Sequence, residues 1–132
     1  MNTRLLGIVI SAAGLLAVHV PAAAHHGAAT FDTGKEITLQ GVVTEWIWAN
    51  PHCFLKFDVT DDTRAVRNWV VETQNPVGMT ARGWSRRGFK AGDVVTVTLE
   101  PVKNGAPIGR ILHVVLPSGA TLVAADTQPA AP

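Results

Sequence analysis

The sequence predicts a small, mainly β domain: a five-stranded barrel with a short helical segment between strands 3 and 4, preceded by a signal peptide. Three observations carry this expectation. Runs rich in Val, Ile, Thr and Trp recur along the chain, each closed by Pro, Asn, Gly or Asp turn signals. One stretch, residues 77–88, lacks their period of two. The first residues have the three-part build of an export leader. A chain of 132 residues allows one domain around one core.

The leader comes first. Met1 to Arg4 is a short basic start, Leu5 to Val20 is almost wholly apolar, and Pro21-Ala22-Ala23-Ala24 is a small-residue exit. Residues 1–24 therefore read as a signal peptide. A retained membrane helix needs roughly 20 apolar residues, and His19 and Pro21 cut this run short. No Cys stands at the exit to carry a lipid anchor. The mature protein is expected in a bacterial periplasm or outside the cell, with no stable membrane insertion. Cleavage after Ala24 leaves 108 of the 132 residues, with ten basic and ten acidic side chains. That balance excludes a nucleic-acid partner bound through a basic surface. Cys53 is the single cysteine, so no intrachain disulfide holds the fold.

Within the mature chain, residues 25–124 read as one domain, and 125–132 as a disordered Pro/Ala tail. The first strand spans Ile37 to Trp48, with Gly41 marking a bulge or bend. Ala49-Asn50-Pro51 turns the chain. In the second strand Cys53, Leu55, Phe57 and Val59 share one face, and His52, Phe54, Lys56 and Asp58 the other. Arg67 to Thr73 is the third strand, and Asn75-Pro76 ends it. Val77 to Gly88 is the helical segment. Lys90-Ala91-Gly92-Asp93 turns into the fourth strand, Val94 to Leu99. Asn104-Gly105 and Pro107 make a loop. Gly109 to Leu116 is the fifth strand, followed by a short tail strand, Thr121 to Ala124. This order is that of an oligonucleotide/oligosaccharide-binding (OB-like) barrel. An open β-sandwich is the alternative, because strand counting does not show closure.

The chemistry concentrates at the terminus that cleavage creates. If His25 is first, its amine and imidazole chelate one ion as a histidine brace. If cleavage falls one or two residues earlier, His26 or His25 occupies the third mature position. An amine, two amides and an imidazole then make a square-planar site that favours copper. His52, beside the Asn50-Pro51 turn, is the further candidate ligand. Cys53 alternates with core residues and reads as packing. Met79 is a lone thioether, a weak basis for a soft-metal site with Cys53. His113 shares a strand face with Ile111 and Val115, and its plain reading is a half-buried strand residue. Trp46 and Trp48 lie on one strand face, and Arg86 and Arg87 follow Trp84 beside Arg82. These are either core filling and a solvated helix face, or a surface for a ring-bearing or anionic ligand. No nucleophile elbow, metalloprotease helix or phosphate loop occurs, so no catalytic residue is expected.

Ala24-His25-His26, Thr38-Leu39-Gln40-Gly41-Val42-Val43, Asn50-Pro51-His52, Arg82-Gly83-Trp84 and Lys90-Ala91-Gly92-Asp93-Val94-Val95 follow one another in this order. The set resembles a family of small exported bacterial proteins of unknown function. The resemblance spans residues 25–116 and implies export and a compact β-barrel. It supplies no ligand and no catalytic residue. Cys53 departs from the aromatic or aliphatic residue that follows the Asn-Pro-His turn in that pattern, which weakens a thiol mechanism.

Three functions follow as expectations. The leading one is a non-enzymatic binding protein for a metal ion, copper first, held by the terminal amine with His25 or His26, and with His52 as a further ligand. The second is a module for a small organic ligand, glycan or envelope protein, using Trp46, Trp48, Trp84, Arg86 and Arg87. The third is a histidine-brace copper oxidase, for which no substrate surface is evident.

Overall fold

The computed structural model describes residues 30–125. The expected leader, His25, His26 and the tail beyond Ala125 lie outside the described residues.

Strands β1 (Ile37–Ile47), β2 (Phe54–Thr60), β3 (Val66–Glu72), β4 (Val94–Pro101), β5 (Ile108–Val115) and β6 (Thr121–Val123) form one sheet in the order β3-β2-β1-β4-β5-β6. A parallel pairing of β3 with β5 closes the first five into a barrel, as the OB-like strand order predicts. The sandwich alternative falls with that pairing. Strand β6 adds to the far end of β5, with His113 opposite Val123.

Closure depends on the length of β1. Its first half pairs with β4, from Ile37–Leu99 to Val42–Val94, and its second half with β2, from Val42–Asp58 to Ile47–Phe54. The irregularity in this strand lies between Val43 and Glu45, not at Gly41. Gly41 serves a different purpose. A Cβ there would clash with the Asp58 carbonyl oxygen and lie 2.7 Å from Phe57 Cδ2, so the close approach of β2 to this point of β1 requires a residue without a side chain.

The alternation read in the second strand places Cys53, Leu55 and Phe57 in the core, with Val59 at its edge. Val95, Val97 and Leu99 join them from β4, and Ile111 and Val114 from β5. The spacing in β5 is irregular because the register shifts opposite Thr98 and Leu99. Ile111 pairs with Leu99 on the inside, while His113 pairs with the outward Thr98. His113 is half-buried as expected, but it lies on the face opposite Ile111.

The helical segment is shorter than Val77–Gly88. Helix α1 covers Pro76–Ala81. Asn75, read as the end of a strand, is also its cap: the side-chain oxygen accepts from the Gly78 amide at 2.9 Å, and Pro76 supplies the preset first turn. Arg82 ends the helix, and Gly83 at φ 85° turns the chain back. Residues 82–90 then run as successive turns.

Before β1, the residues Thr30–Gly34 form a strap across the outside of β4 and β5. Phe31 bridges to Val102, and the Asp32 amide donates to the Pro101 carbonyl at 2.8 Å. The barrel therefore has two distinct ends. At the helix end are the close of β1, β3 and β5 and the start of β2 and β4. At the strap end the directions reverse, and the described chain enters there.

Candidate functional site

His52, Trp46, Trp48, Trp84, Arg86 and Arg87 lie at the helix end, on the close of β1, the β1–β2 loop and the 82–90 turns that follow α1. The strap end, where residue 30 enters, lies opposite them.

His52 is exposed, and the chain around it is firmly placed. The Cys53 amide donates to the Gln74 carbonyl at 3.0 Å, and the Thr73 amide donates to the Cys53 carbonyl at 2.9 Å. The peptide bond between Asn50 and Pro51 is cis. His52 Nδ1 lies 2.8 Å from the Thr73 carbonyl oxygen. A carbonyl only accepts, so Nδ1 carries the hydrogen in this contact and donates it. In the neutral ring Nε2 then keeps its lone pair. Histidines that bind metals are commonly oriented by such a second-nitrogen bond. Among the described residues, no three His, Cys, Asp or Glu side chains converge as a metal cluster.

Cys53 is fully buried. Burial pushes its thiol up, against the opposing charge of Arg86, so it stays protonated and unreactive near neutrality. Met79 is fully buried in the same cluster. Both sulfur atoms sit in the core of the fold, as the alternation around Cys53 implies.

The tryptophans divide by role. Trp84 is buried, and its indole N–H donates to the Val123 carbonyl at 2.9 Å. Trp46 is half-buried among three rings, with centroids 5.7 Å from Trp48, 5.8 Å from Trp84 and 5.0 Å from Phe89. Its N–H donates to the Ser85 carbonyl at 3.0 Å. Indole needs an acceptor when covered, and these two have one. Trp46 and Trp84 therefore read as packing that closes the barrel end. Trp48 is the outermost ring, with Trp46 its one ring neighbour among the described residues. Arg86 and Arg87 are both exposed on the turns that Trp46 and Trp84 pin.

One polar group of consequence escaped the sequence reading. At the strap end Glu100 is 7% exposed. Its Oε2 accepts from Arg110 Nε at 3.1 Å and also from Arg110 Nη2, and its Oε1 accepts from the Gly34 amide at 3.1 Å. The Arg110 guanidinium lies 5.3 Å above the centre of the Phe31 ring. Glu100 and Arg110 are directly opposed across the β4–β5 hairpin. Opposite charges at facing hairpin positions are the signal that could have found them.

A model of a family of unknown function (DUF6152) matches residues 12–111, most of the chain. No curated protein and no solved structure matches it.

Proposed function

The chain belongs to that family of unknown function, DUF6152, and we propose that it is an exported binding protein whose ligand is a transition-metal ion, copper first. The primary ligands are the terminal amine created by leader cleavage and the imidazole of His25 or His26, whichever the cleavage position selects. The observation that carries this reading beyond the terminus is the His52 contact with Thr73, which leaves Nε2 to coordinate. The nitrogen-rich donor set favours Cu(II) over the other divalent ions.

The topology constrains how His52 takes part. The described chain enters at the strap end, and the residues between His26 and Thr30 span only about 14 Å at full extension. His52 joins the same ion only if this segment runs back along the barrel. The test is Cu(II) titration of exported protein with its native first residue, beside a free peptide of the same terminal sequence. The folded protein is expected to bind about tenfold more tightly than the peptide, and His52→Ala to remove that advantage. Equal affinity of protein and peptide would sink the reading.

A further inference from the structure

We infer that the helix end carries a second, metal-independent binding site for an acidic glycan, formed by Trp48 with Arg86 and Arg87. The argument begins with what the fold leaves unused there. Trp46 and Trp84 spend their indole N–H groups on backbone carbonyls. Trp48 is the outermost ring of the cluster, half-buried, and its N–H has no acceptor among the described residues. Arg86 and Arg87 are exposed, and neither makes an ion pair among the described residues.

These groups are held together by the fold. Ser85 immediately precedes the two arginines, and its carbonyl is bound by Trp46, the ring that packs against Trp48. The Gly88 amide donates to the same Ser85 carbonyl at 3.0 Å, and the Trp84 amide donates to the Met79 carbonyl at 3.0 Å. Lys90 adds positive charge to the same turns. The nearby Asp93 is engaged by the Lys90 amide at 2.9 Å.

The chemistry selects the ligand. A half-open indole offers a flat apolar face to the C–H face of a pyranose ring, with a donor at its edge. Guanidinium forks match carboxylates in two-point contacts. A sugar acid carries both parts on one ring. Barrels with this strand order hold oligosaccharides using the loop after their first strand, which here contains Trp48. The evenly balanced charge of the mature chain gives no long-range attraction for polyanions, so recognition rests on these short contacts.

The probe is oligogalacturonate, with neutral galactan oligomers, polyaspartate and inorganic phosphate as comparisons. Binding is followed by the Trp48 indole N–H resonance and by calorimetry on metal-free protein, which separates this site from the copper reading. Oligogalacturonate is expected to shift that resonance, and the double variant Arg86→Gln/Arg87→Gln to weaken binding about tenfold or more. Both arginines are exposed and make no ion pair among the described residues, so that variant keeps the fold. Trp48→Leu keeps apolar contact with Trp46 and is expected to abolish the stacking. Equal binding of neutral galactan overturns the role of the arginines. Equal binding of polyaspartate or phosphate overturns the glycan. No binding, or binding unchanged in both variants, overturns the site.

Discussion

The two ends of the barrel are closed by opposite chemistries. At the helix end, Trp46, Trp48, Trp84 and Phe89 form a chain of tilted and edge-on rings. The indole N–H groups of Trp46 and Trp84 are satisfied by neutral bonds to carbonyls. At the strap end a buried carboxylate and a partly exposed guanidinium tie the incoming chain to β4 and β5. Aromatic closure relies on buried area and packing, which pH leaves alone. Ionic closure relies on a charge state and is worth its bonds only while both partners stay ionised. The end that carries Trp48, Arg86 and Arg87 thus has a rigid neutral floor, and the end where the described chain enters has a charge-dependent fastening.

The largest test removes the floor. Trp84→Ala is expected to destabilise the fold by about 3–5 kcal/mol, the range for deleting a buried large aromatic. Urea unfolding measures it. Trp84→Phe separates the ring from its bond to Val123 and is expected to cost about 1 kcal/mol. A loss under about 1 kcal/mol for the alanine variant breaks the comparison, because the rings would then be surface decoration. Next comes Glu100→Gln, which keeps shape but strands Arg110. Breaking a fully buried pair costs about 3–5 kcal/mol. Arg110 is 34% exposed, so water recovers part of that, and about 2 kcal/mol is expected. A cost above that of Trp84→Ala would make the ionic end the dominant closure.

The sequence made the barrel legible because its strands obey one strong rule. In β2 every second side chain points inward, and Cys53, Leu55 and Phe57 announce the core face. The rule fails where an extra residue resets the parity. In β5 it put His113 on the wrong face, since a register shift depends on the partner strand and leaves no local trace. Gly41 was recognisable as special but not for its reason, which is the passage of the Asp58 carbonyl across it. The strap was invisible, because Phe31 is one apolar residue in a polar stretch and has no period to betray it. Among candidate site residues, sequence named Trp46, Trp48, Trp84, Arg86 and Arg87 without their arrangement. It left open which tryptophans were packing, and the hydrogen bonds of Trp46 and Trp84 answer that.

The smallest effect, and the one that most sharpens the contrast, is acid sensitivity. Burial alone would raise the carboxyl of Glu100, but the Arg110 hydrogen bond, the Gly34 amide and the Arg110 charge outweigh it and hold the group below its ordinary value. The unfolded chain therefore takes up this proton at a higher pH than the folded one. The stability it contributes is complete above the unfolded value and fades as pH falls through the folded one. Asp61 acts in the same sense, lowered first by the Thr63 hydroxyl and then by the Ala65 and Thr63 amides and Arg67. The wild type is thus expected to lose stability on acidification below the ordinary carboxylate range, with two carboxylates contributing. Glu100→Gln should flatten that loss while leaving the Asp61 part. Trp84→Phe should shift the whole curve down without changing its slope. Urea midpoints from neutral pH to about pH 3 decide it. If Glu100→Gln keeps the wild-type slope, the strap is held by packing after all, and the two ends differ less than their geometry implies.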